Sequence, residues 1–458
     1  MTIDDELSAW VAGTSPSTLP DATRDRARLL LLDAIASAYA GRGTPMVGAV
    51  TALARGQLGE GTTPVIGGGR LSPAGAAFVN GFQVTAATVC DVHRPTLTHV
   101  TPEVVPAALA AAWDADIGGA DLLAAIAVGS EITVRVAQAL DTDTYRERRF
   151  HNPGIAGAIG AAVAVARVHC LGADGVRDAI AHGASQAGGT FAALGSSGVK
   201  VHQARGALSG LLAGGLAVAG VDGAAQPVTA DPGGLLAAYA GGGNPRALTD
   251  RLGSAWAIDG ISLRRWPAAS SLQPVIAATL EALRAITRGH GRVRGARVSL
   301  PPRGFALNGG AGWGSQLEAL QSARWIVAVV VADGECWVPQ TAPERLSDPE
   351  VAAFASSAVH VHEDASLPEG AARVRLSRDD GRVFEHEVRV SPGDPGSPLA
   401  WGDVVKKLGR SLEGAEGPAV AGRLANAVQR VEERPARELI DMLVTAPSGL
   451  DRKDLQNP

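Results

Sequence analysis

Small apolar residues recur at helical spacing through the first half of the chain, in runs rich in alanine, leucine and valine. Such runs are typical of helices that pack on one another. Alternation of apolar and polar residues, the sign of a half-buried strand, does not begin before about residue 290. The first part is therefore predicted to be all-helical, with helices over Asp21 to Ala40, Asp121 to Leu140, Pro153 to Val168, Asp174 to Ala187 and Ala204 to Ala219.

Two helix-start signals flank a polar stretch between Cys90 and His99. Ser72 before Pro73 fits an N-cap followed by proline at the first helical position. Thr101-Pro102-Glu103 repeats this signature after the polar stretch. Because proline lacks an N–H and crowds the preceding turn, Pro106 predicts that the second helix becomes regular only after Thr101.

A different pattern begins near Trp266-Pro267. Residues Val293 to Leu300 alternate between apolar and polar and predict a strand. Two further strands are predicted over Ala371 to Leu376 and Arg382 to Val390. They are separated by Asp379-Asp380-Gly381, a strong hairpin signal.

A helix predicted over Ser315 to Ala332 lies between these strands, so this part reads as a smaller α+β unit. The segment from Pro392 to Pro398 has the composition of an exit linker. After it, Trp401 to Leu412 and Val420 to Leu443 return to a helical pattern and are expected to pack on the first domain. The residues from Pro447 onward are expected to be frayed.

The domain plan follows from these patterns and from the length of 458 residues, which exceeds the usual size of one core. We predict a mainly α fold with a large all-helical domain and a smaller α+β domain. The helical domain takes residues 1–267 and regains the C-terminal helices in 397–458, while the α+β domain takes residues 268–396.

Composition narrows the class of protein. Hydrophobic residues make up 46% and charged residues 19%, which fits a packed globular chain. With 57 glycines and only 4% aromatic residues, the helices are expected to approach each other closely. The formal charge of −5 is mild, and no cluster of lysine and arginine is interleaved with aromatics, so nucleic acid is not an expected partner.

The cysteines and the N-terminus bear on the compartment. Cys90, Cys170 and Cys336 are odd in number and far apart, which argues against a disulfide framework. The acidic start of the chain lacks the features of a signal peptide. The longest apolar runs, about a dozen residues, are too short to cross a bilayer. A cytoplasmic protein without membrane contact is therefore expected.

Four places concentrate groups that could carry chemistry. Asp91, His93 and His99 share one polar turn, which suits proton chemistry or a connector whose histidines cap helices. A metal site with two histidines and one carboxylate is disfavoured, because no second acidic residue lies nearby. His151 precedes a helix, where the helix dipole disfavours an imidazolium and suits a neutral base, although simple capping is equally compatible.

The other two places could bind an anion. A Gly/Ser loop from Gly195 ends in Lys200 and His202, and its amides and ammonium suit a carboxylate. Its spacing does not match a Walker A loop. Arg264 and Arg265 lie at the predicted domain junction, where paired guanidiniums can clamp a carboxylate or form a solvated surface pair.

These pieces, in this order, resemble the MmgE/PrpD family, which includes 2-methylcitrate dehydratase and cis-aconitate decarboxylase. The matching stretches are Leu31 to Gly41, Ala76 to Gly81, Asp91 to His99, Ala124 to Arg135, His151 with its helix, Ser185 to Gly189, Lys200 with His202, Trp266-Pro267, and Ser322 to Trp325. The resemblance implies a helical domain made from both chain ends, a smaller α+β lid and a cleft between them. It also implies a homodimer that needs no organic cofactor and acts on small polycarboxylates by dehydration, decarboxylation or epimerisation.

The chain departs from the family pattern at several positions. The family's aspartate doublet is reduced to Asp91, and Val100 stands where a proline usually follows the histidine. A lysine near the junction is replaced by Arg265, and the family's next histidine is missing. In its place stand Ser270, Ser271 and Gln273, and Trp325 replaces the lid tyrosine. These changes spare the residues of proton transfer and alter the substrate-contacting rim, so the substrate is not predicted.

The resemblance gives roles to the candidate residues. The catalytic set is Asp91, His99, His151 and Lys200, and the substrate-binding set is His93, His202, Arg264, Arg265, Gln273 and Trp325, with no metal. We expect a lyase in which His99 and His151 act as acid and base, Asp91 orients His99, and Lys200 with Arg264 or Arg265 stabilises a carbanion. The alternatives are an isomerase with two bases, such as Lys200 and His99, and a binding homologue without catalysis.

Overall fold

A computed structural model describes residues 1–141, 150–287, 292–412 and 417–444. The chain is divided into two compact units. The helical unit takes Met1–Ala86, Cys90–Ile261 and the chain from Ala400 onward, and the α+β unit takes Ala87–Val89 and Ser262–Leu399. The C-terminal tail expected to be frayed lies outside the described residues.

The helical unit is built from thirteen helices within the described residues. They are α1 (Ile3–Gly13), α2 (Asp21–Gly41), α3 (Pro45–Leu58), α4 (Pro73–Ala86), α5 (Thr101–Ala115), α6 (Gly119–Ala139), α7 (Asn152–Val168), α8 (Ala173–Ser185), α9 (Gly198–Val218), α10 (Leu235–Ala240), α17 (Trp401–Ser411), α18 (Gly417–Gln429) and α19 (Ala436–Met442). Two short antiparallel strands of two residues each, β1 (Thr63–Pro64) and β2 (Arg70–Leu71), lie between α3 and α4. These strands were not predicted from the sequence.

Helix α7 is the buried centre of this unit. It packs against α5, α6, α8 and α9, and most of its residues are buried. The approach of α6 is so close that a Cβ on Gly160 would lie 1.7 Å from Oγ1 of Thr133. The abundance of alanine and glycine in the sequence is thus used to bring helix backbones together.

The C-terminal helices belong to the helical unit, since α17 packs on α2. One buried ion pair joins these two helices, with Nζ of Lys407 donating to Oδ1 of Asp33 at 2.6 Å. Among the described residues, no helix has the length and apolar character needed to cross a membrane.

The start signature at Thr101-Pro102-Glu103 is confirmed, whereas the later start suggested by Pro106 and the start predicted at Ala204 are wrong. Helix α5 begins at Thr101 and keeps Pro106 inside it, because the carboxylate of Asp91 accepts the main-chain N–H groups of Val100 and Thr101 and fixes the first turn. Helix α9 begins at Gly198 rather than near Ala204. Lys200 is therefore in the first turn of a helix and not in a loop.

The α+β unit contains one four-stranded sheet with the order β4-β3-β5-β6. The strands are β3 (Val293–Leu300), β4 (Val359–Glu363), β5 (Ala372–Arg378) and β6 (Val383–Val388). Strand β3 pairs in parallel with β4 and antiparallel with β5, and β5 and β6 form the predicted hairpin. The helices are α11 (Gln273–Thr287), α12 (Pro302–Asn308), α13 (Gln316–Ala319), α14 (Ala323–Asp333), α15 (Pro343–Leu346) and α16 (Pro349–Ser357).

The core of the α+β unit lies on one face of the sheet, where α11 and α14 cover residues such as Val298 and Val374. The single helix predicted over this part is wrong, because the chain breaks between α13 and α14. Ser322 ends the break, since its Oγ accepts the main-chain N–H of Trp325 and caps α14. The fold class predicted from the sequence is confirmed, with a large helical part and a smaller α+β part.

Candidate active site

The N-terminal halves of α5, α7 and α9 lie together in the helical unit. Glu103, in the first turn of α5, packs against Gly157 of α7 and Gly206 of α9. A Cβ on either glycine would lie 2.5 or 2.8 Å from Cγ of Glu103, so a larger residue would separate the helices. Side chains at the starts of these three helices therefore share one region.

Four predicted residues meet there. His99 lies two residues before α5, His151 is the N-cap residue of α7, and Lys200 and His202 lie in the first two turns of α9. Burial lowers the pKa of His151 well below its usual value, and the nearness of His99, His202 and Lys200 lowers it further. His151 is therefore a neutral imidazole at neutral pH, which is the form that can accept a proton.

His151 and His202 form a histidine pair. Their Nδ1 atoms are 3.2 Å apart, so one ring must donate an N–H to the unprotonated nitrogen of the other. Gly189 leaves room for this pair, since a Cβ there would lie 2.9 Å from Nδ1 of His202. Burial also lowers the pKa of His202. The contact thus links the tautomers of the two rings, because only one of the two Nδ1 atoms can carry a proton, and it leaves the Nε2 atom of each for other contacts.

Asp91 contacts His99 in a different way from the one expected. Nδ1 of His99 lies 2.6 Å from the main-chain carbonyl oxygen of Asp91, and so donates to it. The carboxylate of Asp91 instead accepts from Val100, Thr101 and the Thr101 hydroxyl at the start of α5. The main chain of Asp91 therefore sets the tautomer of His99, and its side chain holds the helix that follows.

The Asp91 carboxyl is fully buried, and its pKa is raised to about 6, mainly because burial disfavours the charged form. The neighbouring Cys90 contributes to this rise in pKa, whereas His99 and the hydrogen bonds from Thr101 act in the opposite direction. Since Asp91 already occupies the N-terminus of α5, the positive ends of α7 and α9 are the ones left to attract a substrate anion.

Lys200 is buried in the first turn of α9, with 7% of its surface exposed. An ammonium in that position adds a full positive charge to the positive end of the helix dipole. This favours a carboxylate at the same place, because a buried cation is stabilised by an anionic neighbour.

His93 is buried in the polar turn. Its Nδ1 lies 2.8 Å from Oγ1 of Thr96, whose hydroxyl donates to Thr98 at 3.0 Å, so Nδ1 of His93 carries the proton. Burial lowers the pKa of His93 to about 4. These contacts give His93 a structural use in addition to the substrate-binding role predicted from the sequence, which stays a prediction.

Replacing His93 with asparagine should change how stability depends on pH. In the folded protein His93 stays neutral down to about pH 4, whereas an unfolded histidine binds a proton near pH 6.5, so the parent loses stability as the pH falls between these values. Because each pH unit is worth about 1.4 kcal/mol, the whole window carries about 3 kcal/mol. His93→Asn keeps an N–H donor near Thr96 and removes the titration.

Denaturant unfolding at about pH 4.5 and about pH 6.5 measures this effect. The free energy of unfolding should fall less steeply with acid in His93→Asn than in the parent. The matched variant is His386→Asn, since His386 is exposed on β6. Equal acid dependence in His93→Asn and the parent would contradict the burial argument.

Glu103 is the site residue that the sequence reasoning missed. Its side chain is fully buried, and among the described residues neither carboxyl oxygen has a hydrogen-bond partner. Burial raises the pKa of Glu103 well above its usual value, and Asp91 and Cys90 raise it further, so Glu103 is a neutral acid behind the site. The signal in the sequence was a charged residue followed by ten uncharged ones, Val104 to Trp113, in an apolar helix.

Two predicted substrate contacts in the α+β unit, Trp325 and Gln273, are buried and have structural contacts. Trp325 is fully buried in the core, and its indole N–H donates to the carbonyl oxygen of Gln340 at 3.0 Å. The buried amide of Gln273 is also fully used, because it accepts from the main chain of Arg265 and Trp266 and donates to Trp266 and Ala268. Both side chains stabilise the unit, and their predicted role in substrate binding stays a prediction.

The two arginines of the junction differ from each other. Arg264 is buried, with Nη1 3.4 Å from the carbonyl oxygen of Ala268. Arg265 is exposed, and its guanidinium lies 5.4 Å from the ring centroid of Trp266. Their role in binding a carboxylate stays a prediction. No group of three or more histidine, cysteine, aspartate or glutamate residues that could hold a metal occurs among the described residues.

Comparisons with known proteins bear on this site. Residues 5–248 match the MmgE/PrpD N-terminal domain, and residues 266–433 match the MmgE/PrpD C-terminal domain. A cis-aconitate decarboxylase-like protein of Aspergillus oryzae is 28% identical, with 93% of this chain and 94% of the relative covered. The cis-aconitate decarboxylase of Aspergillus terreus is 26% identical over 85% of each chain, and that of Homo sapiens is 24% identical over 97% of this chain and 95% of the relative.

The chain therefore belongs to the MmgE/PrpD family, as its sequence motifs indicated. The family and these relatives are of the lyase type, which supports a decarboxylase or dehydratase kind of function for this chain.

Proposed function

We propose that the chain is a cofactor-independent lyase that removes carbon dioxide or water beside a carboxylate of a small polycarboxylate. The observation that carries the proposal is the cluster of His99, His151, His202 and Lys200 at the starts of three helices. Proton transfer needs a neutral base and a nearby acid, and a carbanion beside a carboxylate needs a cation. The cluster contains groups for each of these tasks.

The proton-transfer roles follow from the tautomers. When Nδ1 of His151 donates to Nδ1 of His202, the Nε2 atom of His151 carries a lone pair and can act as the base. Nδ1 of His99 donates to the Asp91 carbonyl, so Nε2 of His99 can take up a proton and return it as the acid. His202 and the main chain of Asp91 thus position the two rings.

Both reactions balance with these groups. In decarboxylation, the carbon–carbon bond to the leaving carboxylate breaks, its electron pair stays on carbon, and a protonated imidazole delivers a proton to the carbanion. In dehydration, one imidazole removes the proton beside the carboxylate, and the other protonates the hydroxide as it leaves, giving water. In both cases the extra negative charge on the neighbouring carboxylate is stabilised by Lys200.

The relatives named as cis-aconitate decarboxylases make cis-aconitate the first substrate to test, with 2-methylcitrate as the dehydration substrate. The protein would be incubated with each compound in deuterated water and followed by NMR. We expect loss of carbon dioxide or of water, with one solvent deuterium on carbon in a decarboxylation product. Tight binding without any turnover would instead indicate a binding homologue.

An isomerase that uses the same groups is the second candidate. Lys200 and His99 both lie near His151, and two bases on opposite faces of a carbon would invert it without eliminating anything. The NMR experiment separates the two functions, since deuterium in recovered substrate or its epimer, with no loss of carbon dioxide or water, would favour the isomerase.

From the sequence we also propose a cytoplasmic homodimer whose α+β unit moves as a lid.

A further inference from the structure

A basic depression lies on the exposed face of the sheet in the α+β unit. It has a volume of about 580 Å³ and is lined by Arg294, Arg297, His360, Arg375, Ser357 and Ser377, among others. All its lining residues belong to the α+β unit, and none belongs to the histidine and lysine cluster described above.

Strand register places three of the basic side chains in one row. Arg297 of β3 is paired with His360 of β4 on one side and with Arg375 of β5 on the other. Basic side chains directly opposite each other on one sheet face repel and weaken the sheet. A bound anion would remove that repulsion.

A β-bulge adds the fourth basic residue. Residues 294 and 297 are three apart, so in a regular strand their side chains would point to opposite faces. The register of β3 against β5 shifts between Val293 and Gly295, which leaves Arg294 as the extra residue, and both arginines line the depression. Bulges often re-aim a side chain in this way beside a binding site.

The floor of the depression is open because residue 295 is glycine. A Cβ there would lie 3.1 Å from Oγ of Ser377 and 3.4 Å from the carbonyl oxygen of Ala358. The Ser377 hydroxyl donates to the Gly295 carbonyl at 3.2 Å. The main chain is thus reachable from the solvent between the arginine side chains.

The charges of the depression are only partly neutralised. Arg375 pairs with Glu385 at 3.1 Å. In the part of the chain that the structure describes, neither Arg294 nor Arg297 forms an ion pair, whereas the neighbouring Arg373 on the same face pairs with both Asp364 and Glu387. The face therefore neutralises its other arginine and leaves two guanidiniums at the depression.

We propose that this depression binds a small, multiply charged phosphate compound through Arg294, Arg297 and Arg375. Guanidinium groups bind phosphate oxygens in bidentate fashion, so three of them around one depression suit a compound with several phosphate oxygens. The hydroxyls of Ser357 and Ser377 already donate to the carbonyl oxygens of Ala353 and Gly295. Because the site is open to water, binding depends on charge, which favours a phosphate group over a single carboxylate.

Pyrophosphate is the probe, and isothermal titration calorimetry of the full chain measures its binding. The test variant is Arg294→Gln with Arg297→Gln. The control with the same charge change is Arg284→Gln with Arg382→Gln, two exposed arginines of the same unit that pair with Glu281 and Asp380. We expect the test variant to bind at least about tenfold more weakly and the control to stay within about twofold of the parent.

A further variant shows which of the two units binds pyrophosphate. Lys200→Met should bind pyrophosphate as the parent does, since Lys200 belongs to the other unit. Circular dichroism would check that each variant is folded. No binding by the parent, equal losses in the test and control variants, or a loss in Lys200→Met would each overturn the proposal.

Discussion

Replacing His151 with glutamine is expected to lower kcat for the proposed lyase reaction by about a hundredfold or more. The reason is that His151 is buried and uncharged, so its Nε2 atom can accept a proton that an amide cannot take up. Glutamine fills a similar volume, which keeps the packing at the start of α7. Steady-state kinetics with the substrate found by NMR would measure the effect.

The matched control is His169→Gln, which changes a half-buried histidine at the opposite end of the same helix. It should leave kcat within about threefold of the parent, because it lies far from the first turn of α7. The parent should also stay active well below pH 6.5, since the pKa of His151 is lowered and its base form persists in acid. A change under threefold in His151→Gln would contradict the assignment.

The pattern of small apolar residues predicted much of the fold, because the spacing of these residues within each segment is enough to predict closely packed helices. Strand β3 and the hairpin of β5 and β6 were also predictable, since alternation and a turn with Gly381 mark them. The signature at Thr101 marked the start of α5, but the contact that fixes this start was not predictable, because the Asp91 carboxylate reaches Thr101 across a turn of ten residues. Such contacts between turns leave no periodic signal.

The sequence predicted which residues form the candidate site better than it predicted the contacts between them. Histidines and a lysine near helix starts stand out in an apolar sequence, so His99, His151 and Lys200 could be selected. The use of a main-chain carbonyl to hold His99 could not be predicted, because it depends on the path of the backbone. Likewise, the burial of Trp325 depends on how α14 packs, and only three-dimensional packing decides between core and rim.

Glu103 illustrates the same limit. A glutamate near a helix start usually interacts with the helix dipole and stays solvated. Here two glycines on other helices, Gly157 and Gly206, close over it. The sequence contains all three residues, but only their positions in the fold make Glu103 a buried neutral acid.

Replacing Lys200 with methionine is expected to lower kcat/KM by about a hundredfold to a thousandfold. Methionine keeps much of the length and volume of the side chain and removes the charge that would stabilise the carbanion. The acid limb of the pH profile should also move to higher pH, because Lys200 helps to lower the pKa of His151 and its removal lets that pKa rise. A purely structural role for Lys200 would not produce this shift.

Two variants complete the Lys200 experiment. Lys200→Arg keeps the positive charge and should recover part of the activity and return the acid limb toward its parental position. Lys406→Met removes the charge of an exposed lysine in α17 of the same unit and should change neither quantity. If Lys200→Met lowered kcat/KM while its acid limb stayed at the parental pH, Lys200 would not act on the pKa of His151, and its ammonium would act only on the substrate and the carbanion.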